Sequence, residues 1–247
     1  MKKDTISIRS MKGKEPLTVL TCYTYPTAKI LEESGTDIIL VGDSLGNVVL
    51  GYNSTKDVTM DDMLRHTGAV RRGAKNSFIV SDMPFSSDKD EESAIKNAHL
   101  LLEAGADAVK VEGKPDICKA LTKNSIAVMG HIGHLPQTAK KPILHKDKGQ
   151  LLQQAHSLEK AGCFAVVLEM VQKDIAKEIT ASLSIPTIGI GAGPYCDGQV
   201  LVINDILGMY DDFKPVFAKR YASINDEIRK AVRQYNKEVK GREFPGE

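Results

Sequence analysis

The sequence predicts an α/β protein folded as one closed (β/α)8 barrel over residues 1–247, with 1–16 as an N-terminal extension. Three observations carry this reading. Eight short runs rich in β-branched residues alternate with longer amphipathic stretches along a chain of 247 residues, a length that suits one eight-unit barrel. The runs are continuously apolar, as parallel strands covered on both faces are. No Pro- or Ser-rich linker divides the chain. Alternation alone does not report closure, so an open doubly wound sheet shares the pattern.

The strand-forming runs are LTVLT (17–21), DIILVG (37–42), SFIVSD (77–82), DAVKVEG (107–113), SIAVMG (125–130), FAVVLE (164–169), PTIGIG (186–191) and VLVIND (200–205). Helical periodicity falls between them. Residues 25–34 stop at Gly35. The stretch 61–72 carries Met63, Leu64, Ala69 and Val70 and stops at Gly73. Residues 90–104 carry Ala94, Ile95, Ala98, Leu101 and Leu102 and stop at Gly105. Residues 149–161 carry Leu151, Leu152, Ala155 and Leu158 and stop at Gly162. An Ala-Gly or Arg-Gly pair before a strand is the expected helix end. A last helix, 221–240, lines up Ile224, Ile228, Val232, Tyr235 and Val239 on one stripe before Gly241.

Composition excludes several function classes. Lys+Arg of 33 against Asp+Glu of 32 leaves +1, without a basic run; nucleic acid is not an expected partner, because phosphate contacts need clustered cations. No run approaches the ~18 apolar residues of a membrane helix, so no membrane partner is expected. The opening MKKDTISIRSMKGKE has no apolar segment and does not read as a secretory signal. Cys22, Cys118, Cys163 and Cys196 form no CxxC pair and read as small buried side chains of a reducing, cytoplasmic protein.

The chemistry collects at strand ends, where barrels of this kind carry their sites. The second strand leads into Asp43 and Ser44, and the third ends in Asp82. The fourth contains Lys110 and Glu112, the fifth leads into His131, and the sixth ends in Glu169. Any one could be a helix cap or a loop charge. Five consecutive strands ending this way imply a ligand, since apolar strands do not otherwise terminate in carboxylates. Asp43, Asp82 and Glu112 are three hard oxygen donors, and no Cys/His spacing suggests zinc; they fit Mg²⁺ with waters and a substrate oxygen. Lys110 and Glu112 are two apart on one strand and share a face. The lysine therefore meets an anion, either the carboxylates or a substrate carboxylate. A Schiff-base role is the alternative, opposed by carboxylates that keep the amine protonated.

Longer segments resemble a known family. They are LVGDSLGNVVLGYNST (40–55), HTGAVRRGA (66–74), SDMPF (81–85), AGADAVKVEG (104–113), GHIGHLPQ (130–137), VLEMV (167–171), IPTIGIGAG (185–193), DGQVLVINDILG (197–208), FAKRYA (217–222) and AVRQYNKEV (231–239). In order, and over nearly the whole chain, they closely resemble the ketopantoate hydroxymethyltransferase family. The resemblance implies a TIM barrel of the phosphoenolpyruvate/pyruvate superfamily type and a large homo-oligomer, a decamer. It also implies one Mg²⁺ per subunit, 5,10-methylenetetrahydrofolate as one-carbon co-substrate, and 3-methyl-2-oxobutanoate as the acceptor converted to 2-dehydropantoate in pantothenate biosynthesis. By position, Asp43, Asp82 and Glu112 match its metal-site acids. Ser44 and Lys110 match residues contacting the 2-oxo acid, with Asp43, Asp82 and His131 beside it, and Glu169 matches the proposed general base. The chemistry agrees with the strand-end reading: Mg²⁺ stabilises an enolate, a carboxylate removes the C3 proton, and Lys110 offsets substrate charge.

The chain departs from the family pattern at three places. Thr24 of TCYTY replaces an acid, His134 replaces a leucine, and TAKKPILHKDKGQ (138–150) is shorter than the glycine-rich segment usual at the active-site mouth. GIGAG (189–193) lacks dinucleotide-motif spacing and reads as a tight turn or a rim contact. His66 and His99 read as ordinary helix residues; His134 and His145 are loop candidates. The other functional readings are a related Mg-dependent 2-oxo acid C–C lyase and a non-catalytic metabolite-binding barrel.

Overall fold

A computed structural model describes residues 2–139, 141–211 and 215–246. Met1 of the extension, Lys140 of the 138–150 segment, 212–214 and Glu247 lie outside the described residues. The chain forms two compact units, Met1–Leu201 and Val202–Glu247.

The first unit holds eight parallel strands in the order of the sequence: β1 (Leu17–Thr21), β2 (Ile38–Val41), β3 (Phe78–Asp82), β4 (Ala108–Glu112), β5 (Val128–Gly133), β6 (Ala165–Glu169), β7 (Thr187–Ile190) and β8 (Gly198–Leu201). β8 pairs with β1, so the sheet is a closed barrel, not an open sheet. Around it run α1 (Thr5–Ser10), α2 (Tyr25–Glu33), α3 (Leu45–Val48), α4 (Met60–Gly73), α5 (Glu91–Glu103), α6 (Pro115–Lys123), α7 (Lys148–Lys160) and α8 (Lys173–Ser182).

The period of two along each strand explains how the interior is divided. Phe78 and Val80, Ala108, Met129, and Ala165 and Val167 belong to one buried apolar cluster. Continuing each column by two residues reaches Asp82, Lys110 and Glu112, His131, and Glu169 on the same inward face. The barrel is thus packed with hydrocarbon below and ends in polar groups above. Ile8 of α1 is fully buried in the same cluster. The extension therefore contributes an apolar side chain to the barrel core. Its helix starts at an Asp4–Ser7 capping box.

Two strands differ from the sequence expectation by more than one residue at an end. β5 begins three residues later than expected, because Ser125 takes a left-handed conformation (φ 61°) after α6. His131 consequently lies within the strand rather than beyond it. β8 is Gly198–Leu201, not 200–205, since Gly198 enters the β1 pairing. Asn204 and Asp205, poor strand formers, belong to a helix of the second unit, α9 (Ile203–Leu207). Gly35, Gly105 and Gly162 are left-handed helix terminators as expected. Gly73 is different: it ends α4 as a helical residue, and a Cβ there would stand 2.3 Å from the Tyr25 carbonyl oxygen of α2. It permits close helix packing.

The second unit contains α9 and α10 (Ile224–Lys240). On α10 the stripe Ile228, Val232, Tyr235 and Val239 is exposed. Among the described residues, no helix is long and apolar enough to cross a membrane. All four cysteines are free and buried.

Candidate active site

The barrel register assembles the polar ends. Asp82 lies opposite Lys110, and Glu112 opposite His131. The Lys110 ammonium stands 3.0 Å from Asp82 Oδ1. Asp43 follows β2 through Gly42, where a Cβ would stand 2.8 Å from Ser44 Oγ. Its N–H donates to Asp82 Oδ2 at 3.0 Å. His131 sits between two acids: Nδ1 is 3.6 Å from Glu112 Oε1 and Nε2 is 3.2 Å from Glu169 Oε2, as ion pairs without aligned hydrogen bonds. Asp43, Asp82 and Lys110 thus form one connected group and Glu112, His131 and Glu169 a second, and Gln137 bridges them by donating to Asp43 Oδ2 and Glu112 Oε2. Ser44 is adjacent in sequence and hydrogen-bonds the Tyr23 hydroxyl at 2.8 Å. The Tyr23 carbonyl in turn accepts from His66 Nδ1 at 2.6 Å.

Electrostatics follow from burial and charge count. Burial, then the neighbouring Asp82 charge, raises the Asp43 carboxyl well above the usual carboxylate range; Lys110 opposes and Glu112 adds. Burial disfavours the Lys110 ammonium, but Asp82, Glu112 and Asp43 outweigh it and its pKa is raised. Burial and Lys110 also disfavour protonation of His131, yet the flanking Glu112 and Glu169 hold it up at about 9. Against burial, His131, Lys110 and the Gln137 N–H keep Glu112 below its ordinary value.

Four acids, Asp43, Asp82, Glu112 and Glu169, face one ammonium and one imidazolium. That excess of hard oxygen charge suits a divalent cation. Among the described residues, no three His, Cys, Asp or Glu side chains converge tightly enough to hold a metal unaided. Asp43, Asp82 and Glu112 are nonetheless oxygen donors of the kind Mg²⁺ takes, an ion that is usually held by one or two carboxylates with water and substrate oxygens in its remaining positions.

Glu169 is the more accessible member, its side chain 16% exposed against 4% for Asp82. Its backbone is tied down: the His134 N–H donates to the Glu169 carbonyl at 2.8 Å. Gly133 (φ +91°) makes this approach possible, since a Cβ would fall 2.2 Å from that carbonyl oxygen. Gly133→Ala should accordingly cost about 2–4 kcal/mol from backbone strain and overpacking, read as a lowered urea midpoint; an unchanged midpoint would mean the β5 end relaxes freely.

His134 is buried, its Nδ1 is without a hydrogen-bond partner, and burial lowers its pKa. The His145 N–H donates to the Met170 carbonyl at 2.7 Å. A cavity of about 590 Å³, lined by Gly133, Leu135, Ile143, His145 and Leu151 among others, adjoins this loop rather than the carboxylate centre. Thr24 serves as the exposed N-cap of α2. Gly191 and Gly193 make the GIGAG turn with positive φ. Sequence reasoning missed Tyr23 and Gln137. Gln137 lay inside the quoted GHIGHLPQ segment but carries no charge to mark it.

A closed parallel barrel with an acid-rich upper rim defines the class. The fold is shared with phosphonopyruvate hydrolase, solved in complex with oxalate and Mg++ (TM-score 0.66, 13% identity, covering 96% of this chain and 87% of that one). It is also shared with 2,3-dimethylmalate lyase, a PEP mutase/isocitrate lyase superfamily member (TM-score 0.64, 13% identity, 100% and 87%). The chain is a TIM barrel, as those proteins are. Relatives named 3-methyl-2-oxobutanoate hydroxymethyltransferase match it end to end. The protein of Caldicellulosiruptor bescii is 52% identical over 98% of this chain and 96% of its own. That of Thermotoga neapolitana is 50% identical, over 97% and 93%, and that of Saccharolobus islandicus is 52% identical, over 99% and 96%. The ketopantoate hydroxymethyltransferase family profile matches residues 2–247. The chain belongs to the ketopantoate hydroxymethyltransferase family and is an enzyme, a one-carbon transferase.

Proposed function

We propose that this enzyme transfers a hydroxymethyl group to 3-methyl-2-oxobutanoate, its carbon from 5,10-methylenetetrahydrofolate and its oxygen from water, releasing tetrahydrofolate and giving 2-dehydropantoate by enolisation and aldol-type addition. The observation that carries the reading is the pairing of a reachable carboxylate, Glu169, with a buried Lys110–Asp82–Asp43 cluster, the two joined through His131, Glu112 and Gln137. Asp43 and Asp82 would hold Mg²⁺, one per subunit, with Glu112 as the third acid. The bound cation supplies Lewis-acid polarisation of the 2-oxo acid. Lys110 faces the substrate carboxylate and offsets its charge, and Ser44 and His131 border the same substrate. Glu169 accepts the C3 proton. The His131 imidazolium beside Glu169 orients that carboxylate. The buried rim keeps water from the carbanion before it meets the one-carbon unit.

Further parts of the reading have separate support. The unbroken family match over 2–247 supports one functional barrel domain. The exposed α10 stripe supports a homo-oligomer, a decamer by the resemblance. Four free buried thiols support a cytoplasmic setting.

The test is exchange of the C3 hydrogen of 3-methyl-2-oxobutanoate in D₂O, followed by NMR. Exchange should need Mg²⁺ but not folate, stop with EDTA, and lead to 2-dehydropantoate only when 5,10-methylenetetrahydrofolate is added. Absence of exchange with Mg²⁺ present would sink the enolisation mechanism, and cleavage of a C–C bond without folate would favour a lyase.

A further inference from the structure

Gln137 is 3% exposed in the loop after β5. Its side-chain nitrogen donates to Asp43 Oδ2 at 2.8 Å and to the Met83 carbonyl at 2.8 Å. Its backbone N–H donates to Glu112 Oε2 at 3.2 Å. One residue thus reaches the chain after β2, the chain after β3, and the end of β4. The Met83 anchor is itself fixed, because its N–H donates to the Lys110 carbonyl at 3.0 Å. Three residues earlier the same loop is bound to the Glu169 carbonyl through His134. The loop therefore spans from the base to the acidic cluster.

The chemistry of the two side-chain partners is restrictive. Both are acceptors, so the amide nitrogen must face them, and a primary amide places two donors on one neutral atom. A glutamate would turn lone pairs toward a carboxylate and a carbonyl. A lysine would donate, but its charge would compete with a cation for the same carboxylates. Gln137 orients acidic groups while leaving their charge uncancelled.

We propose that Gln137 is a positioning residue that fixes the Asp43 and Glu112 carboxylates for cation binding and holds that site in register with Glu169. The inference rests on reading these acids as the Mg²⁺ site. Gln137→Met keeps the length and removes both donors. Its Mg²⁺ affinity, measured by calorimetric titration, should fall roughly 10–100-fold, the usual loss when a ligand's hydrogen-bond partner is removed. Folate-free C3 exchange should fall at low Mg²⁺ and return towards the parent rate at saturating Mg²⁺. Should the variant not fold, Gln137→Asn serves: its shorter amide reaches one acceptor at a time, and its affinity should lie between the two. A folded variant with parent-like Mg²⁺ affinity, or an exchange defect that Mg²⁺ does not rescue, overturns the proposal. If the parent enzyme itself binds no Mg²⁺, the cation reading fails and this inference with it; parent binding with an unaffected Gln137→Met sinks the inference alone.

Discussion

Glu169→Gln is expected to bind Mg²⁺ and 3-methyl-2-oxobutanoate nearly as the parent does and to lose C3 hydrogen–deuterium exchange by roughly 10²–10⁴-fold, the range of a general base. The amide keeps the shape of the side chain and the backbone contact from His134, so the β6 end should stay in place. What disappears is the oxygen lone pair able to take a carbon-bound proton. A second signal accompanies the loss. His131 is flanked by Glu112 and Glu169, which together hold its pKa up at about 9. With one of them neutral, the imidazole should titrate lower, and NMR can follow its ring protons directly. Parent-like exchange would make another residue the base. A fall in Mg²⁺ affinity with exchange preserved at saturating metal would move Glu169 into the cation site.

The sequence made the eight strands legible because parallel strands buried on both faces leave continuous apolar runs, and β1 matches its run end for end; closure of the sheet appears only in the β8–β1 pairing. It also made the charged site residues legible, since Asp82, Lys110, Glu112 and Glu169 interrupt or end those runs. Distances across strands were not legible. The Asp82–Lys110 and Glu112–His131 pairings depend on barrel stagger, which no single run encodes. The start of β5 was misplaced because Ile126 and Ala127 look like strand, whereas the left-handed Ser125 delays the pairing. Gln137 and Tyr23 escaped notice for a different reason. A neutral hydrogen-bonding side chain in a loop gives no charge or periodicity signal, and its value appears only when its acceptors are in place.

Lys110→Met is expected to damage both fold and function, because the ammonium answers several carboxylates at once. Lys110 and its partner Asp82 are 6% and 2% exposed, so bulk solvent screens the pair little. Removing one member of a buried ion pair typically costs about 3–5 kcal/mol, much of it from the charge left behind. Here Asp43 and Glu112 stand beside Asp82, and both also act on the lysine. The loss should appear as a marked drop in melting temperature. Catalytically, KM for the oxo acid should rise and kcat should fall, since the ammonium faces negative charge in both the bound substrate and the transition state. The two effects separate in the double variant Lys110→Met with Asp82→Asn. It removes one negative charge along with the positive one, so it should recover part of the lost stability while staying inactive. If the single variant melts like the parent, the buried carboxylates are already protonated without Lys110. If its KM and kcat are unchanged, the lysine only braces Asp82 and does not face the substrate.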